Sequence, residues 1–66
     1  MKYTVKIIWD NESNSWYCKS KDIPGLILCD ASADVLMYRV RQAAPEFVEH
    51  NCNYKGDFEI SFVTVR

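Results

Sequence analysis

Trp16-Tyr17-Cys18-Lys19-Ser20-Lys21-Asp22-Ile23-Pro24-Gly25-Leu26-Ile27-Leu28-Cys29 is the stretch that decides the fold. Trp16 to Ser20 has the aromatic and mixed character of a strand on a half-buried surface. Pro24 then fixes φ and Gly25 accepts a positive φ, the combination a type II turn needs. Leu26 to Cys29 is a short, fully apolar run and reads as another strand. The segment is therefore strand, Pro-Gly turn, strand.

Upstream, residues 3–9 alternate: Tyr3, Val5, Ile7 and Trp9 face one way, Lys2, Thr4, Lys6 and Ile8 the other. That period of two predicts a half-buried first strand. Residues 10–15, Asp-Asn-Glu-Ser-Asn-Ser, are turn formers that close a hairpin. Pairing Trp9 with Trp16 sets Ile7 against Cys18 and Val5 against Ser20 on one face, with an aromatic cross-strand pair. The other face then sets Ile8 against Tyr17, Lys6 against Lys19 and Thr4 against Lys21. The Lys6–Lys19 pair is like-charged, and either an acidic neighbour or an acidic partner would relieve it.

Downstream, Ser32 suits a helix N-cap, and Asp34 in the first turn suits the helix dipole. Leu36, Val40, Ala43, Ala44 and Phe47 recur at helical spacing as one apolar stripe. Pro45 lies inside it. An interior proline costs roughly 3 kcal/mol, so a kink, or a restart with Pro45 in the first turn, is expected. Residues 51–57 are a polar loop, and Phe58, Ile60 and Phe62 alternate with Glu59, Ser61 and Val63 in a last strand reaching Val65.

The order is β-β-β-α-β, an α+β chain forming a single domain over residues 1–66. A right-handed crossover puts the fourth strand parallel to the first and beside it. The prediction is a four-stranded mixed sheet, order 3-2-1-4, with one helix on one face. The opposite face, bearing Lys6, Ile8, Tyr17, Lys19, Lys21 and Glu59, is left open.

Sixty-six residues with 48% hydrophobic composition can build one small core. Eight basic against nine acidic residues give no general pull toward nucleic acid or anionic membrane. No apolar run approaches ~18 residues, and no signal peptide is read at the start, so no membrane association is expected. Cys18, Cys29 and Cys52 are odd in number and lack C-x-x-C spacing, which reads as reduced thiols of a cytoplasmic protein, with a Cys29–Cys52 bridge as the minor alternative.

The ordered set Trp16-Tyr17-Cys18, Asp22-Ile23-Pro24-Gly25-Leu26, capping Ser32 and inward Leu36 resembles the HicB-like antitoxin family. The run Ala44-Pro45-Glu46-Phe47-Val48-Glu49-His50-Asn51 is similar to a short HicB-related subfamily. The resemblance implies a partial RNase H-like fold of the same element order. It also implies a partner: a HicA-type toxin, a small ribonuclease with a double-stranded-RNA-binding-like fold, blocked by direct binding in a type II toxin-antitoxin system. HicB antitoxins usually carry a C-terminal DNA-binding module. This sequence stops after the fourth strand at Arg66, so DNA binding is not carried over.

No catalytic, cofactor or metal set is read from the residues. His50, the only histidine, lies near the helix C-terminus, where a cation suits the dipole. Asp10, Asp22, Asp30 and Asp34 invite comparison with a two-metal nuclease, which needs carboxylates converging on ions about 4 Å apart. Turn and cap duty accounts for each. Asp22, Pro24, Gly25 and Ser32 are accordingly structural. Lys6, Ile8, Tyr17, Lys19 and Lys21 are the candidate partner-binding residues. Val63 and Val65, on the outer side of an edge strand, are the candidate oligomer edge, predicting a homodimer or higher oligomer. Three functions follow in order: an antitoxin-like protein-binding domain, a nucleic-acid-binding domain using the lysine–tyrosine face, and a nuclease remnant.

Overall fold

The computed structural model describes all 66 residues. The elements are β1 (Lys2–Asp10), β2 (Ser15–Lys19), β3 (Cys29–Asp30), α1 (Ala33–Asn51) and β4 (Glu59–Val65). They form one four-stranded mixed sheet, order β3-β2-β1-β4, with α1 on one face. β1 and β2 are antiparallel, and β4 runs parallel to β1, as a helical crossover requires. The hairpin register has Trp9 opposite Trp16, Ile7 opposite Cys18, Ile8 opposite Tyr17 and Lys6 opposite Lys19. The two indoles meet edge-on, centroids 5.3 Å apart. The aromatic pair and the alternation of β1 select this register together, because a one-residue slip would turn Val5 and Ile7 out to solvent.

Val5 and Ile7 of β1, Cys18 of β2 and Leu36, Val40 and Ala44 of α1 are completely buried, with Tyr3 and Val48 closing the same layer. Ile23 and Leu26 enter it from the Pro-Gly turn. That turn is hydrogen-bonded from the Leu26 N–H to the Ile23 carbonyl, and Gly25 has φ +82°, the left-handed value a type II turn demands.

Two local expectations are corrected. The third strand does not occupy residues 26–29. Only Cys29 and Asp30 join the ladder, opposite Tyr17 and Trp16. The Pro-Gly turn delivers Leu26 straight into the core, so residues 26–28 run alongside β2 as coil. Leu28 is tethered there by the Cys18 N–H to its carbonyl and by its own N–H to Cys18 Sγ. Nor does Pro45 make the helix restart: α1 is one element through it. The lost bond frees only the carbonyl of Arg41, an exposed residue whose carbonyl water can satisfy.

Ser32 is the N-cap, its Oγ accepting from the Val35 N–H at 3.4 Å, with Asp34 in the first turn and His50 in the last. All three cysteines are free thiols. No helix is long and apolar enough to cross a membrane.

Candidate functional site

The Asp22–Leu26 motif holds the fold at three points. Ser20 Oγ donates to the Thr4 carbonyl at 2.7 Å and Asp22 Oδ2 accepts from the Thr4 N–H at 2.8 Å. These two side chains continue the β1–β2 ladder after the strands diverge. Ser20 Oγ also accepts from the N–H groups of Asp22 and Ile23, tightening the bend. At the far end of α1, Asn51 Nδ2 donates to the Pro24 carbonyl at 2.7 Å and Cys52 Sγ to the Asp22 carbonyl. The turn thus latches the helix C-terminus to the sheet.

The other aspartates have local duties too. Asp10 accepts from the Glu12 N–H and Ser13 Oγ in the hairpin loop. Asp30 accepts from the Ser32 N–H and pairs with Arg39. The four aspartates do not converge, and no group of three or more His, Cys, Asp or Glu side chains is placed to share an ion. Burial pushes the Cys18 thiol above its ordinary pKa, against a smaller lowering by hydrogen bonding with the Leu28 backbone, so it stays protonated in the core. It is not placed as a nucleophile.

The outer face of the sheet is different. Strand registers align Val65, Ile8, Tyr17 and Cys29 in one row across all four strands. The next row is Val63, Lys6 and Lys19. Thr4, Lys6, Ile8, Tyr17, Lys19, Lys21 and Asp22 line a shallow depression of about 330 Å³. The structure therefore brings all five candidate partner-binding residues together. It also places Val63 and Val65, read as an oligomer edge, on this same face beside Lys6 and Ile8. Ile8 and Tyr17 are half-buried, Val63 and Val65 exposed.

This face is rich in lysine, with Asp22 in the same depression and Glu59 opposite Lys2. The molecule's two ion pairs are Arg39–Asp30 and Lys55–Glu49, both away from the outer face. Lys6 and Lys19 lie opposite each other, and neither forms an ion pair. Four of the eight basic residues, Lys2, Lys6, Lys19 and Lys21, lie on this side of a chain whose net charge is −1. The alternation of β1 had already set Lys2 on this face. Cys29 escaped the sequence reading, because its place in the row depends on the truncated β3.

A larger open groove of about 840 Å³ runs between α1 and β4, lined by Lys2, Arg41, Pro45, Phe58, Ile60 and neighbouring residues. No group of three or more His, Cys, Asp or Glu side chains converges in it, and no buried polar side chain awaits a partner.

A family model described as a domain of unknown function, DUF1902, matches residues 2–66. The chain belongs to the DUF1902 family. No curated protein matches it. Among solved structures, the DUF1902 chain is similar to a hypothetical protein, TTHA1013, from the extremely thermophilic bacterium Thermus thermophilus. The TM-score is 0.86 at 25% identity, covering 100% of this chain and 94% of the other. The whole β-β-β-α-β arrangement of this DUF1902 chain thus recurs in a crystal structure.

Proposed function

We propose that this DUF1902 chain is a non-catalytic, antitoxin-like protein-binding domain that neutralises a HicA-type ribonuclease by direct contact through its outer sheet face. The observation that carries the reading is the like-charged Lys6–Lys19 pair, which forms no ion pair within the chain, beside an apolar row spanning four strands. Like charges directly opposite each other destabilise a sheet, and apolar rows rimmed by polar residues mark interaction surfaces. A partner that sets an apolar ridge on Ile8, Tyr17 and Val65 and a carboxylate against the lysines resolves both features. The lysines specify an acidic contact zone on the partner, whatever that protein's overall charge.

The resemblance of Asp22-Ile23-Pro24-Gly25 and the capped helix to HicB-like antitoxins supplies the partner class. The motif itself is occupied with turn geometry, so the adjacent open face is the better binding surface. A second reading, binding of single-stranded RNA, is favoured by the four lysines and by Tyr17 as a stacking platform. It is the weaker one, because Ile8, Val63 and Val65 are aliphatic and only one aromatic ring faces that side.

The test is co-expression with the protein of the neighbouring reading frame. Growth rescue by the wild type and its loss in Lys6→Glu/Lys19→Glu supports toxin neutralisation. Recovery of RNA whose binding falls steeply with salt supports the second reading instead. Failure of the wild type to rescue growth or form a complex removes the antitoxin reading.

A further inference from the structure

β3 and β4 bound the sheet, and they end it differently. β3 is two residues long, and Arg39 reaches over it to the Cys29 carbonyl and the Asp30 carboxylate. That edge is short and covered. β4 is seven residues long, and from Ile60 to Val65 it carries neither charge nor proline. Short length, charge and proline are the devices that keep edge strands from pairing, and β4 from Ile60 to Val65 has none of them.

The direction of its backbone groups can be assigned. The Glu59 N–H donates to the Met1 carbonyl at 2.9 Å, and Glu59 lies opposite Lys2 in the parallel ladder. Backbone groups of successive strand residues point to opposite sides. Ser61, Val63 and Val65 therefore follow Glu59 toward β1. Ile60, Phe62 and Thr64 turn their N–H and C=O groups to the open edge. None of the backbone hydrogen bonds outside the helix and ladders reaches these three residues.

We propose that this edge pairs antiparallel with β4 of a second copy, about a two-fold axis through Phe62, joining two sheets into one of eight strands. A two-fold axis perpendicular to the sheet keeps both inner faces on the same side, so inner residues must meet inner residues. With Phe62 opposite its counterpart and Ile60 opposite Thr64 of the other copy, every outward N–H within β4 finds a C=O of the other copy.

Charge selects the second copy and this edge. The strand itself is uncharged, and the one cation near the axis, Arg41, is stacked over the Phe62 ring at 5.3 Å, whereas apposing two outer faces would stack Lys6, Lys19 and Lys21 against their own counterparts. Packing agrees. α1 approaches β2 and β3 most closely, leaving Ile60 and Phe62 on the inner face only half-buried. A second Phe62 across the axis covers the first from its open side.

Amide hydrogen exchange and sedimentation equilibrium on the full chain test this. The expected mass is twice 7.7 kDa. At a concentration giving that mass, Ile60, Phe62 and Thr64 should be protected as strongly as Ser61, Val63 and Val65. On dilution to single copies their exchange should accelerate roughly tenfold or more, giving an alternating pattern. Thr64→Pro removes an outward donor from an exposed residue and spares the β1 ladder, so it should yield a folded single copy with an unchanged circular dichroism spectrum. A wild-type single copy at all concentrations overturns the proposal. So does fast exchange at Ile60, Phe62 and Thr64 in a dimer. A dimer that survives Thr64→Pro but dissociates with Ile8→Asp also overturns it, moving the second copy to the outer face. Because the wild-type exchange pattern is read without any variant, the test stands even if Thr64→Pro fails to fold.

Discussion

β1 sends alternate residues to two surfaces with opposite fates. Tyr3, Val5 and Ile7 disappear beneath α1, whereas Lys6 and Ile8, each one residue from a core position, meet no helix. Both surfaces have an apolar centre. The inner one is closed by Leu36, Val40 and Ala44 and carries the folding energy. The outer one is closed by nothing within the chain, and its lysines form no ion pair. One strand with a period of two thus separates stability from binding, so that changes on one surface should leave the other property nearly untouched.

The sharpest way to break that separation is to truncate equivalent aliphatic residues on the two sides. Leu36→Ala should cost about 2–5 kcal/mol of unfolding free energy in a urea titration, since it leaves a cavity in a sealed layer. Ile8→Ala should cost about 1 kcal/mol or less, given its half-buried position. Equal losses would mean that the outer row is a second core. Next comes the turn that joins both faces to the helix. Gly25→Ala should cost about 1–2 kcal/mol, because φ is +82° and the added Cβ would sit 3.2 Å from Asn51 Nδ2. Asp22→Ala should cost about 1 kcal/mol in the same urea titration by releasing the Thr4 N–H.

The smallest expected effect separates the thiols on the two faces. Cys18, on the inner face, has its pKa raised by burial, so the folded state keeps a proton that the unfolded state gives up. Its contribution is full below the unfolded thiol's pKa and declines as pH rises through it toward the folded value. Stability should therefore fall on the alkaline side, with a shallower slope in Cys18→Ala. Cys29 is exposed at the end of the outer row and should react with a thiol reagent in the native protein, while Cys18 should react only on unfolding.

The faces themselves were legible in the sequence. Alternation in β1 and the Trp9–Trp16 pairing define the register, and Ser32 marks the start of α1. What escaped were features that depend on tertiary competition. Leu26 to Leu28 has strand composition, but the core takes Leu26 before a ladder can form. Pro45 breaks isolated helices, yet here the packing of Ala44 and Val48 on either side holds α1 in one piece. The Asn51–Pro24 latch joins residues 27 apart and leaves no local signal. Of the candidate site, the five outer-face residues were readable from period two. Their union with Val63, Val65 and Cys29 in continuous rows needed the β1–β4 and β2–β3 registers.

The outer row is proposed as the contact surface for a protein partner. The most direct measurement is the affinity of the neighbouring-frame partner for wild type and for Ile8→Asp, with melting temperatures recorded on the same samples. Ile8→Asp should weaken binding roughly tenfold or more, about 1.4 kcal/mol, with little change in melting temperature. Undiminished affinity in a folded Ile8→Asp protein would contradict it.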